Sequence, residues 1–139
     1  MNQSSPKTVL FVEDDLVVLT AYRKRLEKAG YRVETASDGL EAMKQLARSV
    51  PDIVILDLMM PKVTGVDVMR SLRRLPKLQK VPVIVLSTNS ILDGKGDEIL
   101  KLADRRMLKD QCTPASMLAA IQELLPPEAS PGGEQPAAS

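Results

Sequence analysis

The sequence predicts a doubly wound α/β domain, a parallel five-stranded sheet with helices on both faces. Three observations carry this. Short aliphatic, mostly β-branched runs alternate along the chain with longer segments whose apolar residues recur at helical spacing. The strand runs are continuously apolar, as strands covered on both faces of a parallel sheet are. Four of the five runs end in residues that carry chemistry: Glu13-Asp14-Asp15, Asp57, Ser87-Thr88 and Lys109.

Residues 1–7 are polar, and Thr8-Val9-Leu10-Phe11-Val12 forms the first strand. Leu16, Leu19, Tyr22, Leu26 and Ala29 then make a helical stripe that stops at Gly30, a residue suited to the left-handed position after a helix. Tyr31 to Ala36 is the second strand. Asp38 caps a helix striped by Leu40, Ala42, Met43, Leu46, Ala47 and Val50. The third strand lies between Pro51 and Pro61; its apolar run breaks off at Asp57. Gly65 opens a helix with Val66, Val68, Met69 and Leu72, which fades near Pro76.

Val81 to Leu86 is the fourth strand. Gly94 and Gly96 would each cost a helix about 1 kcal/mol relative to alanine, so a loop is expected first and a short helix over Asp97 to Leu102. Arg105 to Leu108 is a weak fifth strand. Thr113-Pro114 supplies an N-cap and a proline at the first helical position, and Met117, Leu118, Ile121, Leu124 and Leu125 stripe the fifth helix. From Pro126 the chain turns to Pro, Gly, Ala, Ser and Glu without apolar periodicity. The expected organisation is one domain over 1–126 and a disordered tail, or the start of a linker, over 127–139.

At 139 residues the chain is long enough for one complete core. With 44% apolar but only 2% aromatic residues, that core must be aliphatic. A net charge of +1 offers no bulk attraction for nucleic acid or a membrane surface, and no apolar stretch reaches the roughly 18 residues needed to span a bilayer. The single Cys112 cannot form an internal disulfide, which fits a cytoplasmic location, and reads as a small packing residue. Histidine is absent, which excludes Ser-His-Asp and Cys-His mechanisms, histidine zinc sites and a phosphohistidine carrier role for this chain. Carboxylates, hydroxyls and lysine are left to do the chemistry.

In a parallel sheet the carboxyl ends of the strands share one rim, and open α/β folds place their ligands there. Asp14, Asp15 and Asp57 would converge if the first and third strands are neighbours. Three carboxylates around one point repel unless a cation joins them, and hard oxygen ligands favour Mg²⁺ or Mn²⁺. Ser87 and Lys109 would face them with donors, as positioning and charge neutralisation of a phosphoryl group demand. Asp57 would then be a nucleophile forming an aspartyl phosphate. Singly, each residue has a plainer explanation: a loop cap for Asp57, a helix N-cap for Asp14 or Asp15, a strand-end hydroxyl for Ser87, a solvated charge for Lys109.

Together the motifs Val12-Glu13-Asp14-Asp15, Asp57-Leu58-Met59-Met60-Pro61 with Gly65, Val85-Leu86-Ser87-Thr88 and Leu108-Lys109 resemble a response-regulator receiver domain of two-component and chemotaxis signalling, over residues 7 to 126. The resemblance implies the flavodoxin-like strand order 2-1-3-4-5. It implies that Asp57 accepts phosphate from the phosphohistidine of a partner histidine kinase or histidine phosphotransfer protein. Asp14 and Asp15 would hold Mg²⁺, directly or through water, with Asp57 and the backbone carbonyl of Met59. Ser87 and Lys109 would bind phosphoryl oxygens. Such a domain is no enzyme beyond its own phosphorylation and dephosphorylation, and signals to a downstream protein partner through the face of the fourth strand and fifth helix.

This sequence departs from the family in three places. Asp110 stands where proline in a cis peptide usually follows the lysine; a non-proline cis bond costs about 2.5–4 kcal/mol, so a trans Lys109–Asp110 bond is expected. Arg106 stands where Tyr or Phe usually swings inward. Thr88 replaces a typically small residue beside Ser87. Besides a phosphorylated receiver, two readings remain: a pseudo-receiver that binds its partner independently of phosphate, and an aspartyl phosphatase of the haloacid-dehalogenase type. The latter needs its nucleophile on the first strand with a second Asp two residues on, which the adjacent Asp14 and Asp15 do not supply. Arg70, Arg73, Arg74, Lys77 and Lys80 read as a solvated basic face, or as a dock for an acidic partner. No helix pair for DNA binding follows residue 126.

Overall fold

The computed structural model describes residues 6–58, 65–87 and 101–125. Its elements are β1 (Thr8–Val12), α1 (Leu16–Lys28), β2 (Arg32–Ala36), α2 (Gly39–Arg48), β3 (Ile53–Asp57), α3 (Gly65–Arg74), β4 (Val83–Ser87), β5 (Arg105–Leu108) and α4 (Pro114–Leu124), with a 3-10 turn over Lys109–Gln111. The five strands form one parallel sheet in the order β2-β1-β3-β4-β5. This is the doubly wound, flavodoxin-like arrangement that the sequence predicts. Five helices were expected; four α-helices are described, because the helix predicted over residues 97–102 falls almost wholly outside the described residues. The tail over 127–139 also lies outside them.

Local chemistry sets the element ends. Gly30 takes φ 100° after α1, where its N–H donates to the Glu27 carbonyl and the Tyr31 N–H to that of Leu26. Those bonds hold Tyr31 in the helix cap, so β2 begins at Arg32. Asp38 accepts from the Glu41 N–H, and Thr113 with Ser116 forms a reciprocal capping box ahead of Pro114. The fourth strand starts at Val83, two residues later than the apolar run, because the Val81 N–H closes a turn onto the Leu78 carbonyl.

β3 and β4 are buried at every position. Their alternating side chains feed two aliphatic cores, one on each face of the sheet. Val9, Phe11, Ile53, Ile55, Ile84 and Leu86 meet α1 and α4 through Leu19, Tyr22, Leu26, Met117 and Ile121. Leu10, Val12, Val54, Leu56, Val83 and Val85 meet α2 and α3 through Ala42, Leu46, Val68, Met69 and Leu72. Leu16, Leu40 and Val50, expected in helical stripes, are exposed instead, being at or beyond helix ends where the core does not reach. No helix among the described residues is long and apolar enough to cross a membrane.

Candidate functional site

Register brings the chemistry-bearing strand ends to one rim. Val12 pairs with Leu56, Asp57 with Leu86, and Ser87 with Leu108, so Glu13, Asp57, Ser87 and Lys109 leave the sheet at neighbouring points. Strand alternation sorts them further. Glu13 continues the row of Val9 and Phe11, Asp57 that of Ile53 and Ile55, and Lys109 that of Met107, all toward the α1 and α4 side. Ser87 continues the row of Val83 and Val85 toward the other side.

Glu13, Asp57 and Ser87 are the buried polar residues among those described, each with no exposed surface. The Lys109 ammonium donates to Asp57 Oδ2 at 2.8 Å and to Glu13 Oε2 at 3.2 Å. Two buried carboxylates thus share one cation. Burial, opposed by the Asp15 N–H that donates to Glu13 Oε2 at 3.1 Å, pushes the Glu13 carboxyl up from 4.5 to about 7, with the Asp57 charge adding to the rise. Burial works against the Lys109 charge, but the hydrogen bond to Asp57 and the two carboxylate charges outweigh it and raise its pKa. Glu13 Oε1 and Ser87 Oγ are buried without a hydrogen-bond partner among the described residues.

Carboxylate oxygens of Glu13, Asp14 and Asp57 lie within 4.8 Å of one another, with Asp14 exposed. The expected acidic pair therefore moves by one residue. Asp15 is the N-cap of α1, its Oδ1 accepting from Val17 N–H at 3.0 Å and Val18 N–H at 3.3 Å, while Glu13 joins Asp14 and Asp57. The signal that finds Glu13 is parity: two residues beyond the inward-facing Phe11, it cannot avoid the buried side, whereas Asp15 directly precedes a helix. Gly65, the first residue of α3, presses on the backbone of Asp57: a Cβ there would sit 2.3 Å from the Asp57 carbonyl oxygen and 2.6 Å from Leu58 Cα. Only glycine lets the helix start so close to Asp57.

Comparison with known proteins decides the family. The response regulator receiver domain family matches residues 9–122. The chain belongs to that family. It is 36% identical over 124 residues to the alkaline phosphatase synthesis transcriptional regulatory protein PhoP of Bacillus subtilis, an alignment covering 86% of this chain and 48% of that protein. The chain thus spans about half the length of the curated relatives it matches. Among solved structures, it resembles the chemotaxis protein CheY4 of Vibrio cholerae with TM-score 0.77 and 28% identity, covering 86% of this chain and 99% of that one. It also resembles the response regulator TrrA of Thermotoga maritima, solved in complex with Mg²⁺ and BeF, with TM-score 0.75, 27% identity and coverage of 86% and 99%.

The receiver's departures can be placed. No peptide bond among the described residues is cis, so the Lys109–Asp110 bond is trans, and the chain turns there through the 3-10 turn. Arg106 is exposed on β5. Thr88 and Met59 lie outside the described residues. The basic cluster in and after α3 loses Arg73, whose side chain is only 18% exposed and makes four hydrogen bonds. Cys112 is a free thiol, partly buried against the core, as a packing residue would be.

Proposed function

We propose that this receiver accepts a phosphoryl group on Asp57 from the phosphohistidine of a partner histidine kinase or histidine phosphotransfer protein. The observation that carries this reading is the Lys109 ammonium held between Asp57 and Glu13, at 2.8 and 3.2 Å, on the rim of a buried strand. In the transfer, an Asp57 carboxylate oxygen bonds to phosphorus as the P–N bond to the donor imidazole breaks, its electron pair leaving with the ring nitrogen. Lys109 neutralises charge as it passes from carboxylate to phosphoryl oxygens, and the Ser87 Oγ, which has no partner among the described residues, offers a donor to one of them.

The donor set fits a small, hard divalent cation: three clustered carboxylates, one with a buried oxygen that no described residue satisfies. Asp14, Asp57 and Glu13 would hold Mg²⁺ or Mn²⁺, directly or through water, with the Met59 carbonyl added on the family resemblance. The ion, when bound, would offset the clustered negative charge of carboxylates and phosphoryl oxygens. The likeness to TrrA, solved with Mg²⁺ and BeF, supports the same assignment.

Beyond forming and hydrolysing its own aspartyl phosphate, the domain turns over no substrate. Its output passes to a protein partner from the face of β4, β5 and α4, where Arg106 replaces the usual aromatic and stands exposed. A phosphate-independent role has no observation in its favour at this rim, where Lys109 bridges Asp57 and Glu13 beside Asp14. The test is intact-mass measurement after incubation with acetyl phosphate. Wild type is expected to gain the mass of one phosphoryl group only when Mg²⁺ is present, and Asp57→Asn to gain none. Wild type that stays unmodified with Mg²⁺ would overturn the reading.

A further inference from the structure

We propose that Tyr22 of α1 is a positioning residue for Lys109. The inference rests on the phosphoacceptor reading above and concerns a side chain which that reading leaves unused.

The backbone that carries Lys109 is weakly fixed by its own element. β5 has four residues, lies at the edge of the sheet with β4 alone beside it, and begins with two exposed arginines. Lys109 then opens a 3-10 turn whose N-cap makes no side-chain hydrogen bond. A flexible, four-carbon side chain on such a segment needs its Cα placed by something else if the ammonium is to reach two carboxylates at once.

Tyr22 supplies that restraint. Its phenol donates to the carbonyl of Cys112, the residue that ends the turn, at 2.9 Å. The ring is 7% exposed and stands edge-on to Phe11 of β1, with centroids 5.3 Å apart and planes at 68°. Phe11 lies two residues before Glu13 on the same face of the same strand, so the phenol fixes the lysine's turn to the strand that presents one of the lysine's two acceptors. On the other side of Cys112, the Thr113–Ser116 capping box holds the start of α4. The turn is thereby clamped at its far end, and Lys109 at its near end is pulled between Glu13 and Asp57.

The test is Tyr22→Phe, which keeps the ring on Phe11 and removes only the hydroxyl. With acetyl phosphate at saturating Mg²⁺, the rate of phosphate uptake is expected to fall about fivefold, the worth of one hydrogen bond, while the Mg²⁺ affinity is unchanged. In a Lys109→Met background the same substitution is expected to have no further effect on the rate, because the positioned group is gone. A purely structural tyrosine would slow both backgrounds alike, and an unchanged rate in Tyr22→Phe would also overturn the proposal. Should wild type take up no phosphate, the phosphoacceptor reading fails by itself. Tyr22 is then judged in the metal-free protein by the side-chain resonances of Lys109, which are expected to shift in Tyr22→Phe; unshifted resonances overturn the positioning role.

Discussion

Each end of the sheet holds a cation in a hydrogen-bonded network, and the two networks are completed differently. At the amino end of β4 and β5, Arg73 donates to the carbonyls of Leu102, Gln79 and Val81 at 3.0, 2.8 and 2.9 Å and to Asp104 Oδ2 at 3.0 Å. That same Asp104 oxygen accepts the Val83 N–H at 2.8 Å, so the network ties Arg73 to the start of β4. At the carboxyl end, Lys109 joins Glu13 and Asp57 but leaves Glu13 Oε1 and Ser87 Oγ buried with no hydrogen-bond partner among the described residues. Each such orphan costs about 1–3 kcal/mol. The first network ties chain segments to one another, whereas the second leaves buried polar atoms for a ligand to meet. The contrast separates a structural clamp from a site without reference to any relative.

The largest effect expected of that contrast is at Lys109. Lys109→Met leaves two buried carboxylates without their cation, and urea unfolding at neutral pH should show a loss of about 3 kcal/mol. Phosphate uptake from acetyl phosphate should slow about a hundredfold in the same variant. Arg73→Met is the counterpart. It removes a guanidinium from carbonyls that water reaches in part, so the loss should be nearer about 2 kcal/mol, with the phosphate uptake rate equal to that of wild type. If Arg73→Met slows uptake as Lys109→Met does, the two ends are not separable and the distinction between clamp and site fails.

The smallest expected effect is a pH dependence. Burial holds the Glu13 carboxyl at about 7 rather than 4.5, so the fold favours its protonated form. Its contribution to stability is full below the unfolded value and is lost as pH rises through about 7. Metal binding has the opposite sense, because it needs the carboxylate. Calorimetric Mg²⁺ titrations should show affinity rising about tenfold from about pH 6 to about pH 8 and levelling above it. Glu13→Gln should flatten that dependence; a profile unchanged by the substitution would place Glu13 outside the metal's reach.

Much of this was legible before any coordinates. The apolar runs at Val9, Ile53 and Val83 announce strands, since only a sheet covered on both faces tolerates them. Asp38, Thr113-Pro114 and Gly30 mark helix ends, because caps act within a few residues of the chain. Asp57 and Lys109 stand out as charges at strand ends. Arg73 was misread as one of a solvated basic group, because its acceptors come from turns and from a strand start up to thirty-one residues away. Asp15, expected beside Asp14 at the metal, caps α1 through Oδ1, a role hidden in the sequence because adjacent acids look alike until one of them is needed to cap a helix.

The element types and the parallel sheet were readable from the chain alone, because both follow from periodicity and short-range stereochemistry. Tertiary structure alone decided which acids share the cation, why Gly65 must be glycine, and that Tyr22 reaches Cys112 ninety residues away. These depend on register, parity and burial, which exist only once distant strands have paired.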